Sequence, residues 1–449
     1  MRSGSFLFSA VALLSLSILS GCGGESLSRG KPDIVMIMID TIRPDRMSCN
    51  GHVNATTPVL DSLAGSGGVW TRVQAQSSWT LPAAASVLTG LSPHSHLCGY
   101  RDGELYGLDQ ALPTLPLQLS RGARYQTAAF FNSSLLGIDF GFSSGFDHFH
   151  CSGTTGKDVP RTAGETVDDL IRWVDGRDSG RPFFAAVHLA DTRLPYSPPP
   201  PYDTLFTETK VDPVFNRFWG TERDMAERES YAASMDSVQL AVLQGLHDGE
   251  MAYLDAQIGR LLFELRSRVD MDNLMLVVVG LHGEEFLDHG GLGHGSSLYQ
   301  ELLSVPLIIV GPGIAQDVRT DLVSHMDIYP SLLTYAGVSV PIWLDGSDIL
   351  MSDSLTADRI VPSESVVWCE YDLLALRMQD KVVIGNPRQE TPLIYDLARD
   401  PEQNAGMQAG RDTRDQLYYH WSLPSRGNPA RLDSVLCTPM GIRDLCYVH

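Results

Sequence analysis

Five short, almost uninterrupted apolar runs set the strongest limit on how this chain can fold: Ile34–Ile39, Thr127–Phe131, Phe183–Leu189, Leu274–Val279 and Pro306–Val310. They are rich in β-branched and aromatic residues, and segments of helical character separate them. Strands that are apolar on both sides must be covered on both sides. Alternation with helices therefore predicts an α/β fold, a central mainly parallel sheet sandwiched by helices. Helices are expected at Pro58–Ala64, Pro82–Leu88, Leu115–Leu119, Ala163–Val174 and Asp327–Tyr335. The longest runs from about Leu240 to Arg266, where Leu240, Leu243, Leu254, Ile258, Leu261 and Leu265 keep helical spacing. Pro195 to Pro201 holds five prolines in seven residues and reads as a surface loop.

Composition narrows the partners. With 43% hydrophobic residues over 449 positions, the chain can bury a large core and is not disordered. Acidic residues outnumber basic ones 54 to 33, a net charge of −21, which argues against a nucleic-acid groove because phosphate backbones need a basic stripe.

The first segment reads as an address. Arg2 precedes the apolar run Phe6–Leu19, whose fourteen residues would span roughly 21 Å as a helix, short of the ~30 Å hydrocarbon core. A charged start and a short apolar stretch predict a secretory signal. Leu19-Ser20-Gly21-Cys22 resembles a bacterial lipobox, which implies lipidation at Cys22 and an extracytoplasmic protein anchored to a bacterial membrane. The expected organisation is a signal peptide over 1–22, a tether over 23–31, an α/β domain over 32–351 and a small C-terminal α+β subdomain over 352–449. In an oxidising compartment the six remaining cysteines (Cys49, Cys98, Cys151, Cys369, Cys437 and Cys446) allow three bridges in 15 connectivities, with Cys437–Cys446 the first guess.

Three segments bring polar groups to strand or helix ends, where α/β sheets gather ligands. Asp40 follows the first apolar run and suits a hard cation; taken alone it reads equally as a turn cap. Thr80 lies at the amino end of the helix containing Pro82, where amides attract an oxyanion and a hydroxyl could attack it; an isolated Thr there is more often a cap. His282 directly follows a buried run, and with His289 and His294 makes three histidines in 13 residues. Imidazole can ligate a metal, bind an oxyanion or move a proton, although each histidine alone is more often structural.

In this order, PDIVMIMIDTIRPDRMSCNG, SSWTLPAAASVLTG and VVVGLHGEEFLDHGGLGHGSSLYQELLSVPLIIVGPG resemble the alkaline phosphatase/sulfatase superfamily, in its sulfatase-like branch. Supporting stretches are Gly249–Asp255, Ser324–Asp327 and Leu393–Pro401. The resemblance implies an anionic substrate, a sulfated glycan or a phosphorylated headgroup, attacked by a nucleophile that one divalent metal (Ca, Mg, Mn or Zn) assists. It places Thr80 as nucleophile, Asp40, Thr80 and His282 on the metal, and His294, Arg193, Arg43 and His282 around the oxyanion.

Three departures stand out. Thr80 replaces the Cys or Ser that sulfatases convert to formylglycine. Leu281 stands where an Asp ligand is usual, and Arg193 stands where the family has His. Leucine offers no donor atom, so one carboxylate ligand is missing, with Glu284 or Asp288 the substitutes within reach. The favoured expectation is a sulfatase-like ester hydrolase or phosphotransferase. The alternative is a catalytically silent, metal-free binding protein that keeps the anion pocket.

Overall fold

The computed structural model describes residues 30–415, apart from 102–103, 153–160, 208–221, 352–354, 357, 366–372, 387–390, 412 and 414. The signal segment with Cys22, and Cys369, Cys437 and Cys446, lie outside the described residues.

Eight strands form the main sheet: β1 (Asp33–Ile39), β2 (Gly68–Gln74), β3 (Gln126–Phe131), β4 (His148–Cys151), β5 (Phe183–Leu189), β6 (Leu274–Gly280), β7 (Leu307–Val310) and β8 (Asp317–Ser324), in the spatial order β8-β2-β7-β6-β1-β5-β3-β4. Seven run the same way. Strand β7, the last of the five runs singled out in the sequence, pairs antiparallel with both β6 and β2. Runs β2, β4 and β8 escape sequence inspection because they are interrupted by polar residues; β8 is half exposed along Asp317–Asp321.

Period-2 alternation divides the core. Ile34, Met36 and Met38 of β1 face one layer, which includes α2 (Thr80–Thr89); Val35, Ile37 and Ile39 face the other. That second layer contains α4 (Ala163–Gly176) and α5 (Ser237–Leu265), which bury Val167, Leu170, Leu254, Ile258 and Leu261. The remaining helices that flank the sheet are α1 (Pro58–Ala64), α3 (Leu115–Ala123) and α6 (Ile328–Tyr335). Helix α5 starts three residues before its predicted position because Asp236 and Gln239 make a capping box.

A second, five-stranded antiparallel sheet spans Ile360 to Gln408. It docks on the stretch leading into α2: Glu364 N–H donates to Gln76 O at 2.9 Å, Ser363 Oγ to Ala75 O at 2.6 Å and Ser77 Oγ to Glu364 O at 2.7 Å. Among the described residues, no helix is long and apolar enough to cross a membrane. Of the cysteines that could enter bridges, Cys49 and Cys151 carry free thiols.

Candidate active site

The site is built at the carboxyl ends of β1, β5 and β6. Asp40 continues the parity of Met36 and Met38, and His188 of β5 pairs with Met38, so both side chains emerge on the face that α2 covers. Helix α2 is Ala-rich and wholly buried, beginning at Thr80 rather than Pro82. Pro82 therefore occupies the third helical position, where an N–H has no intrahelical acceptor in any case.

The Asp40 carboxylate is fully buried. Its Oδ2 accepts from Thr80 Oγ1 at 3.0 Å and lies 3.2 Å from His188 Nε2; His282 Nε2 is 3.4 Å from Oδ1. Burial favours the protonated acid, but the charge of His188, then that of His282, outweighs it and holds Asp40 well below the usual carboxylate range. Arg193 Nη1 stands 3.8 Å from Oδ2. Every neighbour named around this carboxylate is a donor or a cation.

His282 closes the cluster. Its Nδ1 faces Gly283 O at 2.9 Å, and because a carbonyl only accepts, Nδ1 carries the hydrogen. That turns Nε2 toward Thr80 Oγ1 at 3.3 Å. The His294 ring lies 4.4 Å from the His282 ring, and its Nδ1 contacts Glu284 Oε1 at 3.1 Å. Burial pushes the His294 imidazole down; the His294 charge, working against burial, pulls the Glu284 carboxyl below its ordinary value.

Buried latches hold these loops. Thr192 Oγ1 donates to Asp40 O at 2.6 Å, Thr41 Oγ1 donates to Thr192 O, and His247 Nε2 reaches Thr41 O at 3.0 Å. Thr41 sits at φ +46°, a conformation β-branched residues avoid, held in place by these bonds. His325 Nε2 donates to Gly280 O at 2.8 Å; burial drives its pKa down to about 4, so it is a neutral strut.

The structure brings Asp40, Thr80, His282, His294 and Arg193 together. The assignment of Arg43 to the oxyanion is corrected. All five of its N–H groups are taken by Asp45, Asp288 and Glu284 O, which makes it a clamp for the histidine loop. Asp288 is thereby occupied, and Glu284 is held by His294 and by Tyr196, whose hydroxyl donates at 3.2 Å. Neither carboxylate joins Asp40 and a histidine in a cluster of ligand atoms within 4.8 Å of one another. The sequence analysis missed His188; the signal was a lone histidine in an apolar strand, on the parity that leads to the site.

The expected divalent ion does not fit this donor set. Leu281 is fully buried in the apolar core where the second carboxylate was expected. Ligand atoms of Asp40, His188 and His282 do not all come within 4.8 Å of one another; among the described residues only Glu285, His289 and Glu301 do. That trio is internally bonded, His289 Nδ1 to Glu301 Oε1 at 2.7 Å and Glu285 Oε1 to two backbone amides. A guanidinium beside a bound cation opposes it by about 4 kcal/mol per unit charge at ~4 Å and an effective dielectric of ~20. One carboxylate does not offset that and the dehydration of the ion.

The sulfatase family profile matches residues 32–338, more than half of the chain. The chain belongs to the sulfatase family. Among curated relatives of this sulfatase-family chain, an arylsulfatase of Clostridium perfringens is 23% identical, covering 87% of this chain and 92% of its own length. An N-acetylglucosamine-6-O-sulfatase of Bacteroides thetaiotaomicron is 23% identical, covering 75% and 73%. Of solved structures, one in complex with its substrate D-glucosamine-2-N,6-O-disulfate superposes with a TM-score of 0.70 at 20% identity, covering 87% and 97%. A phosphonate monoester hydrolase of Agrobacterium radiobacter gives 0.67 at 21%, covering 87% and 94%. These two establish a shared fold.

Proposed function

We propose that this protein is a hydrolase of sulfate or phosphate monoesters that uses Thr80 as its nucleophile. The observation that carries this reading is the position of the Thr80 hydroxyl, 3.0 Å from Asp40 and 3.3 Å from His282 at the mouth of α2. Asp40 is too acidic to serve as base. As Thr80 Oγ1 attacks sulfur or phosphorus its proton passes to the departing alcohol oxygen, while Asp40 at 3.0 Å and His282 at 3.3 Å hold the hydroxyl in place. Arg193 and His294 face the transferred group. Release of the alcohol leaves an ester on Thr80, which water cleaves.

Sulfated sugars are the favoured substrates, supported by the names of the relatives. Display on the extracytoplasmic side of a bacterial membrane through lipidated Cys22 completes the proposal and rests on the lipobox-like sequence. Steady-state assays with p-nitrophenyl sulfate, p-nitrophenyl phosphate and sulfated glucosamine test it. Thr80→Ala lowers kcat at least a hundredfold and Thr80→Ser retains activity; turnover equal to wild type in Thr80→Ala rejects the nucleophile. The buried Leu281 favours a second reading, an ester-binding protein without turnover. Binding of the same sugars with no release of sulfate or phosphate distinguishes it.

A further inference from the structure

The surroundings of Asp40 carry an inference that deepens the reading above and rests on its premise that this pocket receives a sulfate or phosphate group. We propose that His188, His282 and Arg193 take the place of a divalent cation at Asp40, so that the pocket binds its tetrahedral oxyanion without metal.

His188 is the decisive residue. It is fully buried, its Nε2 lies 3.2 Å from Asp40 Oδ2, and neither ring nitrogen nor Asp40 Oδ1 has a hydrogen-bond partner of good geometry. A buried polar atom left without a partner is costly, and a ligand or ordered water that reaches it relieves the cost. His282 approaches the opposite oxygen, Oδ1, at 3.4 Å, and Arg193, its side chain 19% exposed, stands 3.8 Å from Oδ2. The two imidazoles and the guanidinium thus flank the carboxylate separately instead of converging on one point, which is how donors address an anion and not how ligands enclose an ion.

A planar guanidinium with free N–H edges binds sulfate or phosphate oxygens in pairs, the job a metal performs by direct coordination. Leu281 fits this arrangement. A second carboxylate there would restore demand for a metal and repel the anion; leucine instead packs into the core with Val279 and Leu303.

The test is calorimetric titration of the purified full chain with inorganic sulfate and inorganic phosphate. One sample is treated with chelator and passed through desalting; others are then resupplied with Ca²⁺, Mg²⁺, Mn²⁺ or Zn²⁺, and bound metal is measured by mass spectrometry. The expected result is no stoichiometric metal and equal anion affinity in every sample. Arg193→Gln and His188→Gln each weaken binding by about tenfold or more, while Arg193→Lys, which keeps the charge, recovers part of the loss. Arg193 is the less buried of the two, so it remains informative should the His188 variant misfold. Anion binding that appears only with a divalent ion overturns the inference and leaves the hydrolase reading standing. Absence of anion binding in all samples overturns both.

Discussion

Tyr196 donates its hydroxyl to Glu284 Oε2 at 3.2 Å, joining the proline-rich loop to the histidine loop beneath the site. Tyr196 is buried despite the five prolines around it, so this stretch is anchored and does more than skirt the surface. The other Glu284 oxygen meets His294. Tyr196→Phe removes one charge-assisted bond to a buried carboxylate and costs about 1.5–3 kcal/mol in urea unfolding. Its readout at the pocket is a raised KM for ester substrates, because the loop that carries Arg193 loosens.

Helix α1 is capped from a distance. Asp255 of α5 accepts from Val59 N–H at 2.8 Å and Leu60 N–H at 2.9 Å, supplying the first turn of α1 with the acceptor that its own N-cap, Thr57, does not provide. Asp255→Ala is expected to cost about 1–2 kcal/mol. Amide hydrogen exchange localises the loss to residues 58–64.

Glu250 gives a pH signature. Burial, then the charge of Asp191, pushes its carboxyl up to about 8 from an ordinary 4.5. The folded state therefore binds this proton more tightly than the unfolded chain does. Stability from the group is complete below about pH 4.5 and falls as pH rises toward 8. Glu250→Gln keeps an acceptor for Ser197 N–H, now 2.7 Å from Oε1, and removes this group's share of the slope. At pH 9 the variant is more stable by on the order of 3–5 kcal/mol, measured by thermal or denaturant unfolding across pH 5–9.

Gly90 ends helix α2 at φ +69°, with its N–H bonded to Ser86 O at 3.0 Å. A Cβ there would also stand 3.0 Å from Leu344 Cδ2 and 3.1 Å from Tyr329 Cβ. Gly90→Ala combines left-handed strain with crowding and costs about 1–3 kcal/mol, read as a lowered Tm. Because α2 carries Thr80 at its other end, catalytic loss in this variant in step with unfolding, and none below its transition, is the expected pattern.

How legible the molecule was in its sequence depended on locality. Ile34–Ile39 and Leu274–Val279 announce themselves because a strand covered on both faces must be continuously apolar. Strand β8 did not, since Asp317, Arg319 and Asp321 sit at a half-exposed sheet edge where polarity is tolerated. Asp40, Thr80 and His282 could be read as polar groups at element ends. His188 could not be weighed, because a histidine inside a strand gains meaning only from the strand beside it. Arg43 misled for the same reason: its five partners come from residues 45, 284 and 288, and only folding showed them saturating it.

The chain's own order of residues thus determined a layered α/β core and the kinship carried by three collinear segments, since periodicity and residue chemistry are local properties. The tertiary structure alone decided what surrounds Asp40. Two imidazoles, a hydroxyl and a guanidinium reach one carboxylate from three separate stretches of chain, and whether such a group attracts a metal or an anion depends on distances and orientations that no linear pattern encodes.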